Sequence, residues 1–369
     1  MALLEVKDLK VHFKTDDGIV KAVDGVSYAV DRGQALGIVG ESGSGKSVSS
    51  LTVMGLSRFS KNVEISGSVL LDGKELLTAS DEDMRHLRGN EISMIFQDPL
   101  SSLHPFYKVG DQIIEGIRAH KDVSKAQARD RAIEMLGLVG IPEPRRRIDA
   151  YPHEFSGGMR QRAMVAMALS NDPKLLIADE PTTALDVTVQ AQILDLIQRL
   201  QTELDTAIVM ITHDLGVVAE VTDAIAVMYA GRIVEYAHKN TIFASPEHPY
   251  TWGLLKSIPR LDSPRDEELV PIPGRPPSLI NTPPGCSFHP RCPYARESHK
   301  QVDPMLEPVG GDAWHTVACL LPSEKRKELW TALRSGDKPS EAVAEVQLAG
   351  APAEGTPALG SATTGEAAS

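Results

Sequence analysis

Cysteine is scarce in this chain of 369 residues, which contains three, all of them between positions 286 and 319. An odd number of cysteines crowded into one late segment argues against a framework of disulfide bonds. Apolar runs are short as well, and none approaches the ~20 residues that a membrane-spanning helix needs. The first residues lack the charged and then apolar layout of a signal peptide, so we expect the protein to stay in the cytoplasm.

Positive charge is in deficit, because 38 Lys and Arg residues face 50 Asp and Glu residues and leave a net charge of −12. A general affinity for nucleic acid or anionic lipid is therefore not expected, and no nucleic-acid partner is predicted. Hydrophobic residues make up 42% of the chain, which is enough for a large core. At typical domain sizes this length accommodates roughly two domains.

What the chain does contain is a glycine-rich loop, Gly40–Ser47, directly after the apolar run 35–39. Its sequence fits the phosphate-binding pattern G-x-x-x-x-G-K-S, and the order of strand, loop and helix favours that function over a chance Gly/Ser-rich turn. Lys46 would reach the β- and γ-phosphates of a nucleotide, and Ser47 would bind Mg²⁺. The predicted phosphate-binding residues are Gly40, Ser42, Gly43, Ser44, Gly45, Lys46 and Ser47.

Two further apolar runs end in polar residues that suit phosphate chemistry. The run 175–178 is followed by Asp179 and Glu180, and the run 207–212 is followed by His213. Ligands of open parallel sheets bind at the carboxyl ends of the strands. Asp179 is therefore predicted to hold Mg²⁺, Glu180 to act as general base on water, and His213 to sense the γ-phosphate.

Two other features each allow two interpretations from the sequence. Ser156-Gly157-Gly158 opens an apolar helix, so it is either a second anion-binding site or an ordinary capped helix start. Phe13 precedes a predicted turn and either stacks on a nucleotide base or belongs to the core.

In order and spacing, these motifs resemble the nucleotide-binding subunits of ABC transporters. The resemblance narrows to the peptide/nickel importer branch, and within it to dipeptide and oligopeptide permease ATPases. Phe155 and Met159 depart from the superfamily pattern Leu-Ser-Gly-Gly-Gln in the way that this branch does. The motifs that carry the resemblance are Gly40–Ser47, 97–99, 155–162, Asp179-Glu180, 182–190, His213 and 248–250.

The resemblance implies an α/β fold, namely a P-loop NTPase ABC cassette with a RecA-like core, an antiparallel β subdomain and a helical subdomain. The cassette would span residues 1–260, with the helical subdomain at about 98–170. By the same resemblance Phe13 stacks on adenine, Gln97 contacts Mg²⁺ or water and relays to the permease, and His213 contacts the γ-phosphate. Asp186 belongs to the same motif set.

The implied function is hydrolysis of MgATP to power import of dipeptides or oligopeptides. The implied partners are a sister ATPase in a head-to-tail heterodimer, two transmembrane permease subunits and an extracytoplasmic solute-binding protein. The chain would then lie at the cytoplasmic face of the membrane, with each ATP completed by the Ser156 helix of the partner. Alternatives are uptake of nickel or another small solute and, in a different class, a non-transport ABC ATPase, which one cassette without a heptad run disfavours.

The last third of the chain changes in composition. Residues 261–330 form a predicted extension in which Cys286, Cys292, His299 and Cys319 are candidate metal ligands. Relatives in this branch often have four cysteines there, and some carry a [4Fe–4S] cluster, so a cluster is predicted, with Zn²⁺ as the alternative and free surface thiols as the third possibility. Residues 331–369 are rich in Ala, Gly, Pro, Glu and Thr and are predicted to be mostly disordered.

Overall fold

The computed structural model describes residues 2–97, 102–182, 186–257, 271–346 and 348–349. Positions 98, 99 and 183–185, which belong to the motifs above, and most of the predicted tail lie outside these ranges. In the described residues, no helix combines the length and the apolar character that crossing a membrane requires.

The described residues form two β-sheets, one with four strands and one with eight. The strands are β1 (Leu4–Thr15), β2 (Gly18–Val30), β3 (Ala35–Val39), β4 (Val63–Leu71), β5 (Lys74–Glu75), β6 (Ile92–Ile95), β7 (Leu175–Asp179), β8 (Ala207–Thr212), β9 (Ala224–Tyr229), β10 (Arg232–His238), β11 (Glu307–Val309) and β12 (Asp312–Val317).

The described α-helices connect these strands or follow them. They are α1 (Lys46–Val53), α2 (Asp81–Leu87), α3 (Val109–Arg118), α4 (Lys125–Leu138), α5 (Pro144–Arg147), α6 (Gly157–Leu169), α7 (Val187–Leu204), α8 (Leu215–Val221), α9 (Lys239–Ala244), α10 (Pro249–Lys256), α11 (Ser323–Arg334) and α12 (Pro339–Val346).

The smaller sheet has the order β2-β1-β4-β5 and is antiparallel throughout. Along β1 the buried residues Leu4, Val6, Leu9 and Val11 face a core that also contains Leu36 of β3. This packing fixes the antiparallel subdomain against the larger sheet, close to the phosphate loop.

The larger sheet has the order β11-β12-β10-β9-β3-β8-β7-β6. Its strands β9, β3, β8, β7 and β6 are parallel, and β3, β7 and β8 are buried along their whole length. Continuous apolar strands are typical of a parallel sheet covered on both faces. The loops after β3, β6, β7 and β8 therefore lie at one edge, which is where the predicted site residues belong.

The helices α3 to α6 pack together between β6 and β7 in the sequence. Ile113 and Ile117 of α3, Met135 of α4 and Val165 of α6 are fully or almost fully buried in one cluster. The cluster continues into the sheet through Met210 of β8. These helices therefore hold the start of α6 in a defined place relative to the sheet.

The C-terminal extension continues the cassette sheet, because β12 pairs with β10. Its apolar residues Phe288, Tyr294 and Leu329 are buried together with Tyr229 and Trp252 of the cassette. Residues 331–346, which belong to the tail predicted to be mostly disordered, include the end of α11 and the whole of α12. Ala342 and Val346 are buried in the same cluster, so a short apolar face was enough to order the segment despite its composition.

A network of buried charged side chains also joins the extension to the cassette. Glu235 of β10 is fully buried and accepts hydrogen bonds from the backbone N–H groups of Glu247 and His248, and it lies 3.0 Å from His315 Nε2. Arg326 of α11 donates to Glu247 at 2.6 Å. Breaking one member of such a buried pair is costly, because the remaining charge is left without a partner.

His248 makes the stability of this junction depend on pH. Its Nδ1 accepts the N–H of Tyr250 at the start of α10, and burial lowers its pKa from 6.5 to about 4. Between these values the unfolded chain binds a proton that the folded chain does not, so stability falls as the pH falls. We expect His248 to contribute a loss of about 3 kcal/mol in the free energy of unfolding between pH 6.5 and 4.

The matched variant is His248→Asn, whose side-chain oxygen can accept the same N–H without titrating. Denaturant unfolding of both proteins across this pH range measures the difference. The two curves should diverge as the pH falls, with the wild type losing more. Parallel curves would show that His248 does not titrate as proposed.

Candidate functional site

The phosphate loop begins where β3 ends and continues into α1, as the sequence predicts. Gly45, the residue before α1, has φ of 102°, a backbone conformation that side chains with a Cβ rarely adopt. A Cβ at Gly40 would lie 2.1 Å from the Met228 carbonyl oxygen of β9. The loop therefore packs directly on the neighbouring strand, and glycine is required at these points.

Lys46 is buried within its own loop, with 5% of its surface exposed. Its Nζ donates to the backbone carbonyls of Gly40 at 2.7 Å and Glu41 at 2.9 Å. Burial lowers the pKa of Lys46, whereas the nearby carboxylates of Glu180 and Asp179 raise it. The ammonium is thus fixed at the mouth of the loop, where a phosphate oxygen is expected.

Ser47 and Asp179 form the predicted magnesium-binding pair. The Ser47 hydroxyl donates to Asp179 Oδ1 at 3.0 Å, although the two residues are 132 positions apart. Burial raises the pKa of Asp179, and the adjacent charge of Glu180 raises it further. A hydroxyl beside a carboxylate offers the hard oxygen ligands that Mg²⁺ prefers, and a bound cation would favour the ionised carboxylate.

Glu180 lies between two of the other predicted site residues. Gln97 Nε2 donates to its Oε2 at 3.0 Å, and His213 Nδ1 lies 3.3 Å from its Oε1. The backbone of Glu180 has φ of 44°, and its N–H donates to the Ile211 carbonyl of β8. Strained backbone of this kind costs on the order of 1–3 kcal/mol and is found where surrounding structure fixes a functional side chain.

Other predicted residues lie outside this cluster. The Ser156 side chain accepts the N–H of Met159 and caps α6, and the Asp186 side chain caps α7 in the same way. Ser156 and Gly157 are exposed, and in the described residues no hydrogen bond or ion pair joins them to the phosphate loop. Phe13 is half-buried on β1 and packs against the apolar cluster beneath it. Its adenine-stacking role stays a prediction.

Comparison with known proteins agrees with this geometry. Residues 23–183 match the family described as ABC transporter, and residues 234–298 match the family described as oligopeptide/dipeptide transporter, C-terminal region. The oligopeptide transport ATP-binding protein OppD of Bacillus subtilis is 55% identical over 304 residues, which cover 82% of this chain and 85% of that protein. The chain belongs to the ATP-binding subunits of oligopeptide and dipeptide ABC transporters.

Further similarities support this family. The dipeptide transport ATP-binding protein DppD of Bacillus subtilis is 50% identical over 91% of this chain and 98% of its own length. The dimeric structure of the ATP-binding cassette MJ0796 bound to ADP and Pi has a TM-score of 0.58 and 26% identity, over 64% of this chain and 98% of that one. The predicted ABC cassette fold is confirmed, and ATP with Mg²⁺ is the ligand that an ABC ATPase implies.

Among the described residues, Gln161, Tyr250 and Arg291 were given no role by the sequence motifs but contact the predicted site residues or their neighbours. Gln161, buried on α6, donates to the carbonyl of Pro181, the residue after Glu180. Tyr250 and Arg291 both contact Glu41 of the phosphate loop. The motif at 248–250 marked Tyr250 as a family feature, but no local pattern pointed to Arg291, because its partner is 250 positions away.

The cysteines of this ABC ATPase lie near one another in the extension. Burial raises the pKa of all three thiols, that of Cys286 to about 12, and the charge of Cys319 raises the pKa of both Cys286 and Cys292 further. The fourth predicted ligand, His299, is already engaged in a hydrogen bond, because its Nδ1 accepts the N–H of Arg296 at 3.3 Å. Across the described ranges, no three Cys, His, Asp or Glu residues form a group that could hold a metal ion. The predicted four-ligand set is therefore not assembled here.

Proposed function

We propose that the chain is the ATP-hydrolysing subunit of an importer for dipeptides or oligopeptides. The observation that carries the proposal is the Gln97–Glu180–His213 cluster beside the Ser47–Asp179 pair, since it combines a base for water with a site for MgATP. The names of the relatives and the match of residues 234–298 to the peptide-transporter C-terminal region support the peptide substrate.

The proposed assembly contains two permease subunits, an extracytoplasmic solute-binding protein and a sister ATPase, with this chain at the cytoplasmic face. The exposed Ser156 and Gly157 support a head-to-tail dimer, because an anion-binding helix start that faces outward is available to a nucleotide on a partner.

If the functional dimer contains a sister ATPase, the purified chain alone should be a poor and non-cooperative ATPase. Robust cooperative turnover by the chain alone would contradict the heterodimer.

Uptake measurements test the transport function. A strain lacking the gene should lose ATP-dependent uptake of labelled di- and oligopeptides and regain it with the wild-type chain. Isolation from membranes should recover two multi-span proteins with it. Normal peptide uptake with lost nickel uptake would assign the chain to a nickel importer. Recovery with ribosomes or DNA in place of membrane proteins would contradict a transport role.

As a finer proposal, we infer that Cys286, Cys292 and Cys319 bind a [4Fe–4S] cluster, with Zn²⁺ as the alternative. The family resemblance and the mutual influence of the three thiols support this proposal. Burial raises their pKa values and keeps them protonated, so the metal would have to displace their protons and draw the side chains together on binding. His299 could join as a ligand only if its ring lost the hydrogen bond to Arg296.

Anaerobic purification with metal and sulfide analysis tests the metal proposal. Brown protein with iron and labile sulfide is the expected result, and Cys292→Ser should lose the colour. Colourless protein with about one equivalent of zinc would support the alternative. Folded protein without metal would contradict both.

A further inference from the structure

The C-terminal extension contacts the phosphate loop through an ion pair between buried Arg291 and partly exposed Glu41. Arg291 lies at the end of a short 3₁₀ helix, His289–Arg291, and its guanidinium donates to both carboxylate oxygens of Glu41. The distances are 2.6 Å from Nη1 to Oε2 and 2.9 Å from Nη2 to Oε1. A two-pronged contact of this kind fixes the orientation of both partners as well as their distance.

Arg291 is itself held rigidly, with only 3% of its surface exposed. Its Nε donates to the Pro273 carbonyl at 2.8 Å, and its guanidinium lies 5.8 Å from the ring centroid of Tyr229. Tyr229, Tyr250 and Phe288 form a cluster with ring centroids 4.7 to 5.4 Å apart. Because the guanidinium is fixed before any ligand binds, it can determine where the Glu41 side chain lies.

Glu41 in turn shapes the part of the loop that holds Lys46. Its N–H donates to the Tyr250 hydroxyl at 2.8 Å, and its carbonyl accepts the Lys46 ammonium at 2.9 Å. Three groups of one residue are therefore engaged: the side chain by Arg291, the N–H by Tyr250 and the carbonyl by Lys46. Movement of Glu41 would be transmitted directly to Lys46.

We propose that Arg291 is a positioning residue of the ATP site, acting through Glu41 on Lys46 and the loop, so that the extension is part of the nucleotide-binding apparatus. Arg291 also neutralises a carboxylate that would otherwise stand beside a nucleotide triphosphate and repel it. The proposal rests on ATP binding at the phosphate loop. It assigns to the extension a role in nucleotide affinity, in addition to any role in metal binding.

The test measures equilibrium binding of trinitrophenyl-ATP to the full-length chain and five variants. Arg291→Met should weaken affinity about tenfold, because it leaves Glu41 mobile and unneutralised. The double variant Arg291→Met/Glu41→Gln should return to within about threefold of wild type, because the repelling charge is gone. In the assembled transporter, Arg291→Met should raise KM for ATP with little change in kcat.

Glu328→Gln is the matched control, since Glu328 belongs to the extension and pairs with Lys325 three residues earlier on α11. It should leave affinity within about twofold of wild type. A purely structural role would lower the unfolding temperature of Arg291→Met without changing the affinity of the folded protein, or would leave the double variant as weak as the single one. Either result overturns the inference.

Arg291→Lys and Glu41→Gln keep the inference testable if Arg291→Met does not fold. Lysine retains the charge but not the two-pronged contact, so an intermediate loss of about threefold is expected. Glu41→Gln should stay within about threefold of wild type, as the double variant does, because the repelling charge is gone. Wild-type affinity in Arg291→Lys would overturn the inference. Failure of the wild-type protein to bind the nucleotide at all would instead contradict the proposed function.

Discussion

Glu180→Gln is expected to lower ATP turnover about 10²–10⁴-fold while nucleotide affinity stays close to that of the wild type. The amide cannot accept a proton from water, but Ser47, Asp179 and Lys46 remain in place to hold MgATP. Gln97 and His213 flank the carboxylate and would still position a water molecule without activating it. Hydrolysis rates of the assembled transporter and binding of ATP by the full chain are the two measurements.

Glu203→Gln is the matched control, because this carboxylate is half-exposed on α7 and pairs only with Arg199 four residues earlier among the described ion pairs. It should hydrolyse ATP at the wild-type rate. Bound ATP that is not hydrolysed should also hold the Glu180→Gln protein in its closed dimer. Near-normal turnover by Glu180→Gln would show that another group is the base.

Lys46→Met should weaken ATP binding by about 100-fold, the effect of losing one or two charge-assisted hydrogen bonds. The substitution removes the cation that lies near Glu180 and Asp179, so these two carboxylates would face the incoming phosphates without it. It also leaves the carbonyls of Gly40 and Glu41 without their shared donor. Calorimetric titration with MgATP measures the affinity.

Lys174→Met serves as the control for Lys46, since Lys174 also contacts two carboxylates, Asp72 and Glu91, but lies on the surface away from the loop. Its affinity for MgATP should be unchanged. A loss below about threefold in Lys46→Met would mean that the ammonium does not reach the phosphates.

The core of the site could be predicted from the sequence because its residues follow strands. Gly40–Ser47 continues β3, Asp179 ends β7, and His213 follows β8, so the known geometry of parallel sheets brings them to one edge. The contact between Ser47 and Asp179 follows from that rule without knowledge of the helices between them. The order of strands and motifs along the chain was sufficient to predict this contact.

Contacts that depend on the packing of distant segments could not be predicted in this way. Arg291 and Glu41 meet only because the 3₁₀ helix of the extension docks on Tyr229 and Tyr250. The same docking gives the Pro-rich extension a hydrophobic core without a metal ion, since Phe288 is buried among cassette residues. Hydrophobic periodicity and composition describe one segment at a time, so they do not indicate which distant segments pack against each other.

The position of β11 and β12 beside β10 also bears on aggregation. An unpaired strand edge presents free N–H and C=O groups to other molecules, and natural proteins protect such edges with short strands, charge and proline. Here the outermost strand is β11, with three residues, Glu307 at one end and Pro308 in the middle. A chain ended before residue 271 would instead expose β10, whose seven residues are mostly buried and largely apolar. We therefore expect the cassette alone to self-associate through the edge of β10. In the full chain, the extension covers this edge and prevents that association.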